Sequence, residues 1–208
     1  MPHLPAGRTV FAMFSLPPGT RALLLINVAV FALQLSGVDL DTFMLWPLGA
    51  SSPDSLGFAP WQLLTYSFMH GSPLHLASNM FALWMFGSDV ERVWGRNRFL
   101  TYYFTCVVSA AVTQLLVGWW TGASAPTIGA SGGIFGVLLA FGMMFPHRTI
   151  LLIFPPIPMP AWLLVTLYGA FELYAGVTGA MGDVAHFAHL GGMLGGYLMI
   201  RYGRRWRR

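Results

Sequence analysis

The chain has no lysine; its 11 basic residues are all arginine. Catalysis by a serine paired with a lysine amine is thereby excluded. Cysteine is almost as scarce. The single thiol, Cys106, lies in an apolar run, so no intrachain disulfide can form, and cysteine pairing says nothing of the compartment. Charged residues make up 9% of the chain and hydrophobic ones 56%, with a mean hydropathy of +0.63. A soluble domain carries about 25% charged residues, so this composition points to a polytopic membrane protein. His-Glu-x-x-His is missing, which removes that metalloprotease signature. "HFAH" at 186–189 offers two histidines without an adjacent acid, and no metal or organic cofactor is expected. An aspartyl protease needs two membrane carboxylates sharing a proton. Asp183 in "AMGDV" stands alone and, falling in a loop, is not taken as the acid of a serine triad either. Glu172 is the one acid well inside an apolar run and reads as an interfacial residue; a transporter or channel would normally carry more charge there.

What the chain does have is apolar runs long enough to cross a hydrocarbon core of about 30 Å. Six fall near residues 22–38, 73–90, 99–120, 129–146, 161–178 and 184–202. The first is not read as a cleavable signal peptide, because it lacks a small-residue exit and further spans follow. All eleven arginines fall on one side, at alternate ends of these runs, whereas Asp39, Asp41, Asp54 and Asp183 fall on the other. Arginine-rich loops stay cytoplasmic, so the expectation is an all-α, six-transmembrane-helix bundle with both termini cytoplasmic. Residues 1–20 read as an N-terminal tail, 21–203 as one membrane domain and 204–208 as a basic C-terminus. The long loop from about Asp39 to Pro60, rich in aromatic residues, is expected at the membrane interface. "FPPIPMP" from Phe154 cannot be a regular helix, because its four prolines remove donors and disfavour helical geometry before them.

Polar groups at the span starts need an explanation, since membrane burial of such groups is costly. Ser131 opens span four in "GASGGIFG"; His75 and Asn79 open span two, four residues apart and so on one helix face; His186 and His189 open span six. All lie on the side without arginine. Spans four and six carry glycines at four-residue spacing, Gly129/Gly133 and Gly132/Gly136 against Gly191/Gly195 and Gly192/Gly196, a pattern that lets helix backbones approach closely in lipid. Such packing would bring Ser131 and His189 together. A serine hydroxyl becomes a nucleophile when a base takes its proton, and neutral histidine suits that role near pH 7. The oxyanion formed on attack needs donors in a water-poor site; the Ser131 N–H, His75 and Asn79 are candidates. A lone serine among glycines would read as packing alone, and it is the convergence of these four residues that favours catalysis.

The segments "WQLLTYSFMHGSPLHLASNMFALWMFG", "ERVWGRNRFLTYY", "GASGGIFG" and "AHFAHLGGMLGG" resemble, in order and spacing, the rhomboid family of intramembrane serine proteases. The resemblance implies a Ser131–His189 dyad, an oxyanion site from His75, Asn79 and the Ser131 backbone, and hydrolysis of transmembrane protein substrates. It also implies that Gly129 precedes the nucleophile in its motif, that Phe135 packs on the catalytic histidine, and that His189 rather than His186 is the base. Two departures from some members are Pro47 after Trp46, where an arginine stands elsewhere, and Phe135 in place of tyrosine. The expected setting is a bacterial plasma membrane, with substrate entering from lipid past span five. The lipid bilayer and transmembrane substrates are the expected partners, and nucleic acid is not. The alternative is an inactive relative that binds membrane helices without cutting them.

Overall fold

The computed structural model describes residues 16–49, 56–152, 156–180 and 185–203. Asp54, Asp183, the basic end 204–208 and most of the expected N-terminal tail lie outside the described residues. The fold is mostly helical. Helix α1 spans Pro18–Leu35, a short α2 spans Gln62–Thr65, and α3 (Pro73–Ala82) runs through a π-helical stretch, Leu83–Gly87, into α4 (Ser88–Trp94). Then come α5 (Arg96–Thr121), α6 (Ser131–Met144), strands β1 (Thr149–Leu151) and β2 (Pro158–Pro160), α7 (Ala161–Thr178) and α8 (His186–Tyr202). Among the described residues, α1, α5 and α7 are long and apolar enough to cross a membrane, and α6 is apolar but shorter.

Several boundaries differ from the sequence reading for identifiable reasons. Helix α1 begins at Pro18, inside the expected tail, because proline suits the first helical position and the Glu91 carboxylate caps it. Oε1 of Glu91 accepts the Gly19 N–H at 2.7 Å, and Oε2 accepts the Thr20 N–H at 2.6 Å and the Thr20 hydroxyl at 2.8 Å. A buried anion thus satisfies the unpaired donors of a helix N-terminus. Helix α6 is only 14 residues long, bounded by Gly129 at φ +124° on one side and by Phe145, Pro146 on the other. The proline-rich segment is non-helical as expected where it is described, and residues 158–160 pair antiparallel with Thr149–Leu151. The loop after α1 is held by side chains rather than lying loose. Leu45 and Thr127 exchange backbone hydrogen bonds, and Gln62 accepts from the Trp46 N–H while donating to the Thr42 carbonyl. Trp46 is buried, while Phe43 and Trp61 remain exposed.

The core is built by α5, α6 and α8, with Tyr102, Tyr103, Cys106, Val107 and Ala110 of α5 fully buried. Small residues make the approach possible. A methyl on Gly192 would overlap the Gly132 carbonyl, one on Gly136 the Cys106 sulfur, and one on Gly196 the Tyr102 hydroxyl. Hydroxyls of α5 then donate across the contacts. Tyr102 Oη donates to the Gly136 carbonyl and Ser109 Oγ to the Gly191 carbonyl, each at 2.8 Å. Interhelical hydrogen bonds of this kind fix register where apolar packing alone would slide.

Contacts distinguish two ends. At one, Arg148 pairs with Asp89 at 2.6 Å and Arg92 with the same carboxylate at 3.0 Å, near the start of α1. At the other, Gln34 near the end of α1 bonds both the His70 N–H and its carbonyl. Ser131 is the first residue of α6, and Arg148 lies beyond its other end.

Gly192→Ala is expected to lower stability by roughly 1–3 kcal/mol, the usual penalty of overpacking. Gly118→Ala, whose new methyl would meet nothing nearer than 3.7 Å, should be neutral or mildly stabilising. Thermal unfolding of both variants in detergent checks the pair.

Candidate active site

Ser131 is the first residue of α6, so its N–H has no intrahelical partner and sits at the positive end of the helix dipole. His189 lies in the first turn of α8. The backbone contact of Gly132 with Gly192 draws these helix starts together, and Ser131 Oγ lies 2.7 Å from His189 Nε2. Phe135, one turn along α6, stacks on the His189 ring at 4.2 Å and 7° between planes. It fixes the imidazole from one face, in the position expected for it.

His75 comes from the third helix. Its N–H is bonded by the Ser72 hydroxyl oxygen, which caps α3. Its ring Nδ1 accepts from the Gly71 N–H at 3.3 Å, so a neutral ring carries its hydrogen on Nε2. That nitrogen faces Gly129. A point one Cβ bond from Gly129 lies 2.9 Å from His75 Nε2 and 3.6 Å from Ser131 Oγ. The missing side chain therefore leaves room for a small group between a donor and the hydroxyl. Asn79 is buried one turn further along α3, where one amide hydrogen goes to the His75 carbonyl at 2.8 Å, leaving the second. Among the described hydrogen bonds none joins Asn79 to Ser131. His70 packs edge-on against His75 at 5.0 Å. Burial first, then the neighbouring His75, pushes the His70 imidazole down to about 4, which keeps it neutral at physiological pH.

Glu172 requires a correction. From sequence it reads as an interfacial residue, and "HFAH" has no acid adjacent to its histidines. Instead, Glu172 is 5% exposed, and Oε2 lies 2.6 Å from His186 Nδ1 and 2.9 Å from His189 Nδ1. The acid is supplied by α7 packing on α8, a contact no spacing within either helix reveals. A signal did exist. Tyr168 and Glu172, four residues apart, form one face of α7, and Tyr168 meets Phe135 at 6.1 Å between ring centroids. Glu172, His186 and His189 each offer a ligand atom, all within 4.8 Å of one another. Around a tetrahedral zinc such atoms stand about 3.3 Å apart, whereas here the carboxylate approaches both nitrogens at proton-sharing distance. The donor set therefore reads as a proton network rather than a metal cage.

A bundle with membrane-length apolar helices, holding a serine against a histidine beneath a glycine-lined approach, defines a class of protein. The comparison with known sequences agrees: residues 58–206 match the Rhomboid domain, and the chain belongs to the rhomboid family. Rhomboid protein 1, mitochondrial, of Saccharomyces cerevisiae is 34% identical over 185 residues, covering 85% of this chain and 51% of that protein. The human presenilin-associated rhomboid-like protein, mitochondrial, is 32% identical, covering 68% and 37% respectively. Rhomboid protease GluP of Bacillus subtilis is 28% identical, covering 80% and 31%. The chain thus spans about half the length, or less, of these curated relatives. The expected bacterial plasma membrane is overturned by the mitochondrial relatives at 32–34% identity. Arginine placement indicates a side of a membrane but not which membrane.

Gly129→Ala would combine backbone strain at φ +124° with a methyl against His75 Nε2. Gly122→Ala places alanine in the ordinary left-handed region at φ +71°, with nothing within 4 Å. Both should lose roughly 1–3 kcal/mol, but only Gly129→Ala should slow fluorophosphonate labelling of Ser131. Thermal unfolding and labelling rates, measured side by side, check this.

Proposed function

We propose that this chain is an intramembrane serine endopeptidase that cleaves transmembrane segments of other membrane proteins, in a mitochondrial membrane. The 2.7 Å contact between Ser131 Oγ and His189 Nε2, made by two helices packed through glycine, carries the reading. In this reading six helical segments cross the bilayer, both termini lie on the arginine-bearing side, and the site opens on the other. Ser131 attacks the scissile carbonyl carbon as its proton passes to His189 Nε2. The oxyanion is met by the Ser131 N–H, by His75 Nε2–H and by the remaining amide hydrogen of Asn79. His189 then gives the proton to the departing amine, and a water, deprotonated by the same nitrogen, releases the acyl group from Ser131.

Depth supports the intramembrane assignment. Helix α6 is about 21 Å long at 1.5 Å per residue, short of a hydrocarbon core of about 30 Å. With its Phe145 end at one interface, Ser131 lies beneath the other. Gly129 and Phe135 serve as the space beside the nucleophile and the platform under the base. A non-hydrolytic role in binding membrane helices is the alternative; it gives no reason for a hydroxyl and an imidazole to be held at 2.7 Å.

Purified protein in detergent should cleave a model transmembrane substrate, and Ser131→Ala and His189→Ala should each abolish cleavage. Asn79→Ala should lower turnover by about 10²- to 10³-fold if its amide meets the oxyanion. Undiminished cleavage by Ser131→Ala rejects the mechanism.

A further inference from the structure

A carboxylate buried between helices is costly unless donors or positive charge meet it. Proton accounting defines how Glu172 is met. The Ala180 carbonyl oxygen, 3.0 Å from His186 Nε2, can only accept, so that nitrogen bears a hydrogen. A further proton must lie between His186 Nδ1 and Glu172 Oε2, because two bare lone pairs would repel at 2.6 Å. His189 is arranged the opposite way. When neutral, it receives the Ser131 hydroxyl hydrogen on Nε2, so its own hydrogen sits on Nδ1, which faces the same Oε2 at 2.9 Å. The angle there is too poor for a formed hydrogen bond, and Nδ1 has no other hydrogen-bond partner among the described residues. Its coupling to the carboxylate is therefore mainly electrostatic.

We propose that Glu172 is a positioning residue that acts on Ser131 through His189. Resting on the hydrolase reading above, the inference turns a two-residue mechanism into one with an acid supplied by α7. The carboxylate holds the hydrogen of neutral His189 on Nδ1 and so leaves Nε2 free as the base. As attack proceeds, the Ser131 O–H bond breaks, the Oγ–carbon bond forms, the carbonyl electron pair moves to oxygen and the proton arrives on Nε2. Glu172 gains and loses nothing in that step; its charge offsets the positive ring. His186 anchors the carboxylate from the other side. A simple brace between α7 and α8 would need only His186, and the approach of His189 Nδ1 to the same oxygen is what ties Glu172 to the reaction. Among the described residues, the other titratable groups here are His75, which comes from α3 and faces Gly129, His70 packed against His75, and Tyr168 of α7 against Phe135.

The test uses full-length protein in detergent with ¹⁵N-labelled histidine, the His189 signals being identified by their loss in His189→Gln. In the wild type and in Ser131→Ala alike, His189 should show the Nδ1–H tautomer, because Glu172 rather than the serine sets it. Glu172→Gln should bring in the Nε2–H tautomer and lower kcat on a transmembrane substrate by about 10- to 10²-fold with KM within about twofold. That is less than the roughly 10⁴-fold loss seen when a well-aligned triad acid is made an amide, since the alignment here is poor. A purely bracing glutamate would change stability and leave the tautomer as it was. An Nε2–H tautomer in the wild type, or unchanged kcat in Glu172→Gln, overturns the proposal. The wild-type and Ser131→Ala spectra decide the matter even if Glu172→Gln does not fold. Failure of the wild type to cleave would instead count against the hydrolase reading, leaving the spectra to decide whether the carboxylate sets the tautomer.

Discussion

Among the described glycines, the tightest site is backbone against backbone, where the Gly132 carbonyl of α6 meets Gly192 of α8 with no room for a methyl between them. Two residues of the site are fixed by that contact almost without further help. Ser131 adjoins Gly132, and His189 stands three residues before Gly192 on the same face of its helix. A separation between the helices set by larger side chains would be wider by an ångström or more, and an oxygen–nitrogen distance of 2.7 Å could not survive it. The serine–histidine geometry is here a by-product of helix packing. For that reason the glycines of α6 and α8 belong to the site as much as to the core.

Lipid offers no water to polar groups, and their disposition follows from that constraint. The Tyr102 and Ser109 hydroxyls donate to carbonyls of facing helices, and Glu91 receives three donors from the start of α1. Glu172 is handled differently, since its neighbours are titratable side chains and not backbone amides. A carboxylate satisfied by fixed amides is structural ballast. One bonded by one imidazole and faced by a second, which also meets a hydroxyl, can respond when a proton moves on the far side of that second ring.

The sequence disclosed what repeats along a helix. Glycine at four-residue spacing pointed to the α6–α8 contact, and His75 with Asn79 on one face pointed to α3 beside the site; the structure has both on that face, with His75 against Gly129. Phe135 was found through family resemblance and stacks where expected. What stayed hidden were contacts between residues far apart in the chain with no periodic signature. Glu91 reaches Gly19 across 72 positions and Glu172 reaches His186 across 14, each through tertiary packing alone. The misreading of Glu172 had a physical source: an acid at the end of an apolar helix is equally compatible with an interface and with a buried partner, and only the partner helix decides. Compartment was illegible for another reason, since charge asymmetry reports a side and not a membrane.

Water must reach a site that the membrane otherwise keeps dry, and the short α6 gives the means. The helix begins at Ser131 because Gly129, at φ +124°, turns an extended segment into it. That segment is itself held from above, Thr127 by the Leu45 backbone and Gly129 by the Tyr66 carbonyl. The described part of the loop after α1 is thereby tied to the segment that leads into Ser131, by these hydrogen bonds and by the buried Leu45 side chain. Helix α7 closes the side through the Tyr168–Phe135 contact and the Glu172–His186 pair. A substrate segment entering between α6 and α7 would press on the two groups that steady the His189 ring, the stacked Phe135 and the Glu172 carboxylate. In the proposed reaction, entry on this side and activation of the base would be mechanically linked, because α7 carries the carboxylate that faces His189.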